Sequence, residues 1–313
     1  MKRRTFLKYT STSILFPSIV ASLNASEYTT VEKQLFPTNF FTNAFEVEEK
    51  KILDNKEEVE ENINESISAN SSEEITNTVK AEKKIKKELL NRDAFIEEKY
   101  IQEFISVREK LKLVQRHIGY GNFNILGFDD MLKIAKNSSN INDFTKEELS
   151  FFEFLFYYNP SYHGFFGERI SQNITETINK NDVVKIPHTG HYLFKGEAEH
   201  TYSKMCEDIG SSLTLTSGVR SIVKQTKLFL DKLDSVDGNL SIASKSLAPP
   251  AYTYHTISDF DVGKKGFGYA NFTSRFALTQ EFIKMRKLKY IDMRYTINNK
   301  DGVRYEPWHV KII

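Results

Sequence analysis

From about Glu46 to Asn91 the chain is built of Glu, Lys, Asn and Ser with only isolated aliphatics, as in Glu57-Glu58-Val59-Glu60-Glu61-Asn62. Such a stretch cannot bury enough apolar surface to offset its chain entropy, so it reads as a solvated linker or lone helix. Val59, Ile63 and Ile67 recur every four residues, as do Ile75 with Val79 and Ile85 with Leu89, which leaves short amphipathic helices or a weak coiled coil open. Aromatic and aliphatic density rises after Asp93. The 313 residues therefore divide into one compact domain and appendages.

Ahead of the charged stretch, Lys2-Arg3-Arg4-Thr5-Phe6-Leu7-Lys8 gives a cationic start, and Tyr9 to Val20 is apolar but too short to span a bilayer. This is the pattern of an export segment. Its paired arginines followed by Phe6-Leu7-Lys8 resemble a twin-arginine signal, with cleavage near Ala25 and an uncleaved anchor as the alternative. The expected organisation is an export signal over 1–25, a charged linker over 26–92 and a domain over 93–313, its motif-bearing core at 197–313. The linker acts as a spacer, and the protein is expected in the periplasm or cell envelope.

Charges nearly cancel, 43 Lys+Arg against 42 Asp+Glu, so nucleic acid is excluded as an expected partner. The single cysteine, Cys206, rules out an intramolecular disulfide and a cysteine-rich metal site, and reads as a buried apolar thiol.

Within the domain, periodicity predicts helices over Phe95 to Val114, Lys146 to Tyr158, Glu197 to Ile209, Ser221 to Leu233 and Ser274 to Leu288. Strands are predicted at Leu213 to Ser217, Tyr252 to Tyr254, Ile257 to Val262, Tyr290 to Tyr295 and Val303 to Ile313. The run Phe151-Phe152-Glu153-Phe154-Leu155-Phe156-Tyr157-Tyr158 reads as core packing rather than a carbohydrate-stacking surface. This order argues an α+β fold, a small antiparallel or mixed sheet flanked by helices, preceded by a helical subdomain.

Of the seven histidines, His255 and His309 have matching partners. On an extended chain His255, Asp259 and Asp261 share one side, and His309 can supply a second imidazole. Two imidazoles and a carboxylate suit Zn²⁺ with an open position for water. Glu306 lies three residues before His309, an offset that places the two on different faces of a regular strand. Spacing alone leaves a metal site and surface histidines both open; a twist or bulge near Pro307 is one way to aim Glu306 at a bound water.

Three ordered segments carry more. Ser217-Gly218-Val219-Arg220-Ser221 with Gln225, then Tyr254-His255 through Asp261, then Glu306-Pro307-Trp308-His309 resemble the successive signatures of the VanY-type zinc D-alanyl-D-alanine peptidases. The resemblance implies that His255, Asp261 and His309 bind zinc and that Glu306 is general base and acid. It further implies that Arg220 stabilises the oxyanion or the substrate carboxylate, and that Ser217, Gln225 and Tyr254 line the substrate site. The family pattern is Ser-x-His-x-x-Gly-x-Ala-x-Asp. Here Thr253 stands at the serine place, Ser258 where glycine would be, and the gap from His255 to Asp261 is one residue shorter, which keeps Asp259 as an alternative ligand.

Trp308 is expected to lock His309 by packing. His188 and His191 read as loop residues able to line the cleft, and His117, His163 and His200 as structural. The activity so implied is hydrolysis of the terminal D-Ala-D-Ala bond of peptidoglycan stem peptides. A crosslink endopeptidase and a non-catalytic wall-binding scaffold are the alternatives.

Overall fold

A computed structural model describes residues 93–313. The export segment and charged linker expected over 1–25 and 26–92 lie outside the described residues.

A helical layer comes first. α1 (Ile101–Ile118), α2 (Tyr120–Phe123), α3 (Phe128–Lys136) and α4 (Lys146–Tyr157) form it, and two later helices join them. On α1, Val107, Leu111 and Val114 are spaced four and three residues apart, so they fall on one stripe and are fully buried. Against them lie Phe151, Phe152 and Leu155 of α4, with Phe123 and Met131. The aromatic run is thus core: Phe128 and Phe152 meet edge to face at 5.3 Å, and Tyr157 alone is largely exposed. Thr145 and Glu148 form a reciprocal capping box at the start of α4. The same Glu148 carboxylate accepts from Ser106 Oγ at 2.5 Å and Lys110 Nζ at 2.6 Å, tying α4 to α1.

Then follow β1 (Val183–Lys185) and β2 (Tyr192–Phe194), an antiparallel hairpin, and α5 (Glu197–Ile209). β3 (Leu213–Ser217) leads to α6 (Ile222–Ser235) and α7 (Leu240–Ser246), which return to the helical layer through Phe229, Leu230, Leu233 and Leu240. β4 (Phe260–Lys264), α8 (Gln280–Met285), β5 (Ile291–Met293) and β6 (His309–Ile312) close the chain. The second sheet is antiparallel throughout, in the order β3-β4-β6-β5. The α+β class is as expected.

The sheet's two faces differ by the period of two. Leu213, Leu215, Phe260, Val262, Ile291 and Val310 pack on Tyr202, Met205 and Ile209 of α5 and on Phe282 and Met285 of α8. Each such side chain contributes about 2 kcal/mol on leaving water. Alternation then sends Asp261 and His309, a cross-strand pair, to the other face.

Several element bounds differ from those the sequence suggests. α1 begins at Ile101 after a 3-10 turn over Glu98–Tyr100 and runs on to Ile118, where Gly119 at φ 87° ends it. The helix expected over Ser274 to Leu288 is two pieces, a 3-10 turn (Ser274–Leu278) and α8, because Thr279 Oγ1 caps α8 by accepting from Phe282 N at 3.2 Å. Tyr252 to Tyr254 is not a strand: Tyr252 N donates to Pro249 O in a turn, and Tyr254–Thr256 is a 3-10 turn. β6 takes up only the last part of Val303 to Ile313. Its forerun is held elsewhere, by Arg304 N on Lys245 O and Glu306 N on Tyr295 O.

Burial pushes Glu148 up, but the bonds from Lys110, Ser106 and Thr145 outweigh it and hold the carboxyl below the usual glutamate range. A depressed folded-state value contributes stability that is present above the unfolded-state pKa and lost as pH falls through the folded one. Glu148→Gln should therefore cost about 3 kcal/mol in urea unfolding at pH 7. The difference from the parent should shrink in acid, and an unchanged midpoint at pH 7 would contradict this role.

Candidate metal centre

Asp261 and His309 sit opposite one another on β4 and β6, on the polar face of the sheet. On the other side of β4 a bulge between Leu215 and Ser217 shifts the register, so Ser217 rather than Thr216 pairs with Asp261. That bulge delivers the Ser217-Gly218-Val219-Arg220 segment to the site. Gly218 is required there, since a Cβ would lie 1.9 Å from Tyr192 O, whose carbonyl accepts from Val219 N at 2.7 Å. Gly218 O accepts from His255 Nδ1 at 2.9 Å.

That bond fixes the His255 tautomer. A carbonyl only accepts, so Nδ1 carries the proton, and burial, with Arg220 close by, pushes the imidazole down to about 4 and keeps it neutral. Nε2 is then a lone pair, 3.3 Å from Asp261 Oδ1, and neither atom has a hydrogen-bond partner. His309 Nδ1 is also 3.3 Å from Asp261 Oδ1. His255, Asp261 and His309 thus offer three buried ligand atoms within 4.8 Å of one another. Two buried acceptors facing each other without a partner, His255 Nε2 and Asp261 Oδ1, with His309 Nδ1 beside them, fit a cation, and two imidazole nitrogens with one carboxylate oxygen fit Zn²⁺.

The shortened gap is accommodated by the backbone. The N–H groups of Ile257, Ser258 and Asp259 all point to Tyr254 O, at 3.1, 3.1 and 3.2 Å, so the chain coils tightly after His255 and enters β4 in time to present Asp261. Asp259, the alternative ligand, is saturated. Its oxygens accept from Arg294 Nε and Nη2, from His309 Nε2 at 3.0 Å and from Ser258 Oγ at 3.4 Å. By contrast Asp261 commits only Oδ2, to Arg220 Nη2 at 2.5 Å.

Glu306 reaches the cluster by a turn. His309 N donates to Glu306 O at 3.2 Å, with Pro307 and Trp308 as the central residues, where proline's fixed φ is suited. The turn cancels the strand offset that separates the two on paper: Glu306 Oε2 lies 3.7 Å from His309 Nδ1. Burial lifts Glu306 to about 7, only partly opposed by His309. Burial also disfavours charge on His309, but its hydrogen bond to Asp259 and the Asp261 carboxylate beside it outweigh this and raise it to about 9, a proton that a bound cation displaces. Asp261 is held well below the carboxylate range, since His255 and Arg220 outweigh its burial.

Arg220 is buried, with Nε on Ser217 Oγ at 2.8 Å, Nη1 on Gln225 Oε1 at 3.4 Å and Nη2 on Asp261. Gln225 is fully buried, and its amide donates to Ala248 O at 2.6 Å. It therefore backs Arg220, and Ser217 does the same from β3. The Tyr254 ring lies under the Arg294 guanidinium at 3.4 Å, and its hydroxyl donates to Glu168 at 3.3 Å. Trp308 packs in the apolar cluster on the opposite side of the sheet, edge-on to Phe272 at 6.1 Å, anchoring the turn from below.

His188, at φ 63°, is exposed in the β1–β2 turn. His191 lies next to Asn124, 3.5 Å away, and burial together with Lys224 and Arg220 lowers it to about 4. His163 is packed against Tyr158, and Cys206 is half-buried, its thiol pushed up by burial. Arg294 and Arg304 were silent in the sequence: neither belongs to a motif, and only the folded chain puts Arg294 on Asp259 and Arg304 Nε 3.9 Å from Glu306 Oε1.

A small antiparallel sheet presenting a buried two-histidine, one-carboxylate cluster beside a glutamate defines a domain with a candidate metal centre. Residues 195–313, which hold every member of that cluster, match the family model of VanY, D-alanyl-D-alanine carboxypeptidase. The match covers about 38% of the chain, and this segment is similar to that family. No curated protein sequence matches it. Among solved structures, a glutamate-to-alanine mutant of the vancomycin-resistance D,D-pentapeptidase VanY from a VanB-type cassette, in complex with Zn(II), is 15% identical with a TM-score of 0.32, covering 42% of this chain and 77% of that one. VanYB in complex with D-alanine-D-alanine is 18% identical, TM-score 0.33, with 42% and 76% covered. The LD-carboxypeptidase LdcB is 23% identical, TM-score 0.29, with 44% and 84% covered.

The close approach at Gly218 generates a prediction. Gly218→Ala should cost about 2–3 kcal/mol through overpacking against β2, read as a lower denaturant midpoint, and should loosen the His255 contact. A variant as stable as the parent would show that the hairpin is not seated as described.

Proposed function

We propose that this protein is an exported zinc peptidase that removes the terminal D-alanine from peptidoglycan stem peptides ending in D-Ala-D-Ala. The observation that carries the reading is the pair of buried, unpartnered atoms His255 Nε2 and Asp261 Oδ1 converging with His309 Nδ1. The family match over 195–313 supports the bond, and the cationic, apolar N-terminus supports the compartment. Among the described residues no helix is long and apolar enough to cross a membrane.

His255, Asp261 and His309 would hold the metal. Zinc bound there supplies a Lewis acid that brings the pKa of a water molecule toward neutrality. Glu306, buried and lifted to about 7, is matched to take a proton from that water and return it to the leaving amine. Arg220 spends three of its five N–H donors inside the protein. We assign the remaining two to the oxygen that gains negative charge as the peptide carbon becomes tetrahedral, a role a permanently charged guanidinium suits. Its ion pair with Asp261 Oδ2 also fixes that carboxylate so that Oδ1 is the atom left for metal.

Glu306→Gln should keep near-stoichiometric zinc while slowing hydrolysis of a D-Ala-D-Ala-terminated pentapeptide about a thousandfold. His309→Ala should lose both zinc and activity. A Glu306→Gln protein that cleaves at the parent rate would overturn the assignment.

A further inference from the structure

Asp259 sits two residues from Asp261 in sequence but does different work. We infer that Asp259 is a positioning residue for His309, clamped in turn by Arg294, and that this relay sets which imidazole nitrogen faces the metal centre. The inference rests on the zinc site proposed above.

His309 has two nitrogens and needs one proton when neutral. Its Nδ1 is turned to Asp261 and Glu306, at 3.3 and 3.7 Å, while Nε2 lies 3.0 Å from Asp259 Oδ2. A carboxylate without a proton can only accept, so the Nε2–H tautomer is selected and Nδ1 is left as a lone pair. Without Asp259, Nε2 has no acceptor among the contacts of the ring. Either tautomer is then available, and the one with Nδ1–H cannot bind a cation.

Asp259 cannot perform this role while free to swing. Its side chain is 1% exposed, and the Arg294 guanidinium grips both oxygens in a fork, through Nε and Nη2. Arg294 follows β5 directly and is itself braced over the Tyr254 ring, 3.4 Å from its centre. Tyr254 immediately precedes His255. The relay Tyr254, Arg294, Asp259, His309 therefore ties the turn that carries one histidine to the strand that carries the other. The tight winding around Tyr254 O is what places Asp259 there, so the shortened gap between His255 and Asp261 supplies the second carboxylate of the site.

Saturation argues the same point from the other side. All four contacts to Asp259 are donors already in place, whereas Asp261 Oδ1 has none. One carboxylate is built to accept hydrogen bonds, the other to bind an ion.

The test uses the full chain with Zn²⁺ as the probe. Histidine labelled with ¹⁵N in the parent protein, zinc loaded, should show His309 as the Nε2–H tautomer, and a Nδ1–H signal would overturn the inference without any variant. Chelator competition should show Asp259→Asn binding zinc ten- to a hundredfold more weakly, with Arg294→Met weakened in the same direction and thermal unfolding of the metal-free proteins reported alongside. Parent affinity in a folded Asp259→Asn protein overturns the inference alone. Zinc retained in Asp261→Asn but lost entirely in Asp259→Asn makes Asp259 a ligand and also overturns it. A parent chain that binds no zinc overturns the functional reading itself.

Discussion

Everything at the site depends on one cross-strand pair, Asp261 on β4 opposite His309 on β6. Because strand side chains alternate with a period of two, a slip of one residue would bury one of these groups in the apolar cluster and turn Phe260 or Val310 out onto the polar face. The register is held from the apolar side: Phe260, Val262 and Val310 are fully buried against α5 and α8, with Trp308 beneath the turn that precedes β6. Hydrophobic packing thus fixes the chemistry on the other face, with no need for the polar groups to specify it themselves.

That polar face is unusually charged for its burial. Asp259, Asp261, Glu306, Arg220, His255 and His309 are each under a tenth exposed. Buried charges are tolerated only when each is paired and hydrogen-bonded, and two guanidiniums, Arg220 and Arg294, answer two of the carboxylates. The remaining mismatch is concentrated on His255 Nε2 and Asp261 Oδ1, acceptors facing each other at 3.3 Å. Nearby, burial leaves Glu306 close to neutrality in its titration, the range useful to a group that must both take and return a proton. A divalent cation held there would remove the mismatch.

Much of this was readable along the chain. α5 and β3 begin and end where periodicity places them, and α4 differs by a residue, because amphipathic period, a Thr145 cap and Gly218 are local signals. His255, Asp261, Glu306 and His309 stand in recognisable segments, and the structure brings all four together. What could not be read was the means. The offset of Glu306 from His309 looks awkward for a strand and is resolved by a turn through Pro307. The bulge that sets Ser217 opposite Asp261 has no local signature. Gln225 belongs to the motif yet is fully buried, since its partner Ala248 O arrives from a distant loop. Arg294 has no motif, and its importance exists only in three dimensions.

The ligand set proposed for the metal is His255, Asp261 and His309, with Asp259 behind them. Anomalous scattering from zinc-soaked crystals, collected on both sides of the zinc absorption edge, tests it most directly. A single strong peak is expected about 2 Å from His255 Nε2, Asp261 Oδ1 and His309 Nδ1, with Asp259 outside bonding distance. A peak bonded to Asp259 in place of Asp261, or no peak among these residues, would contradict it.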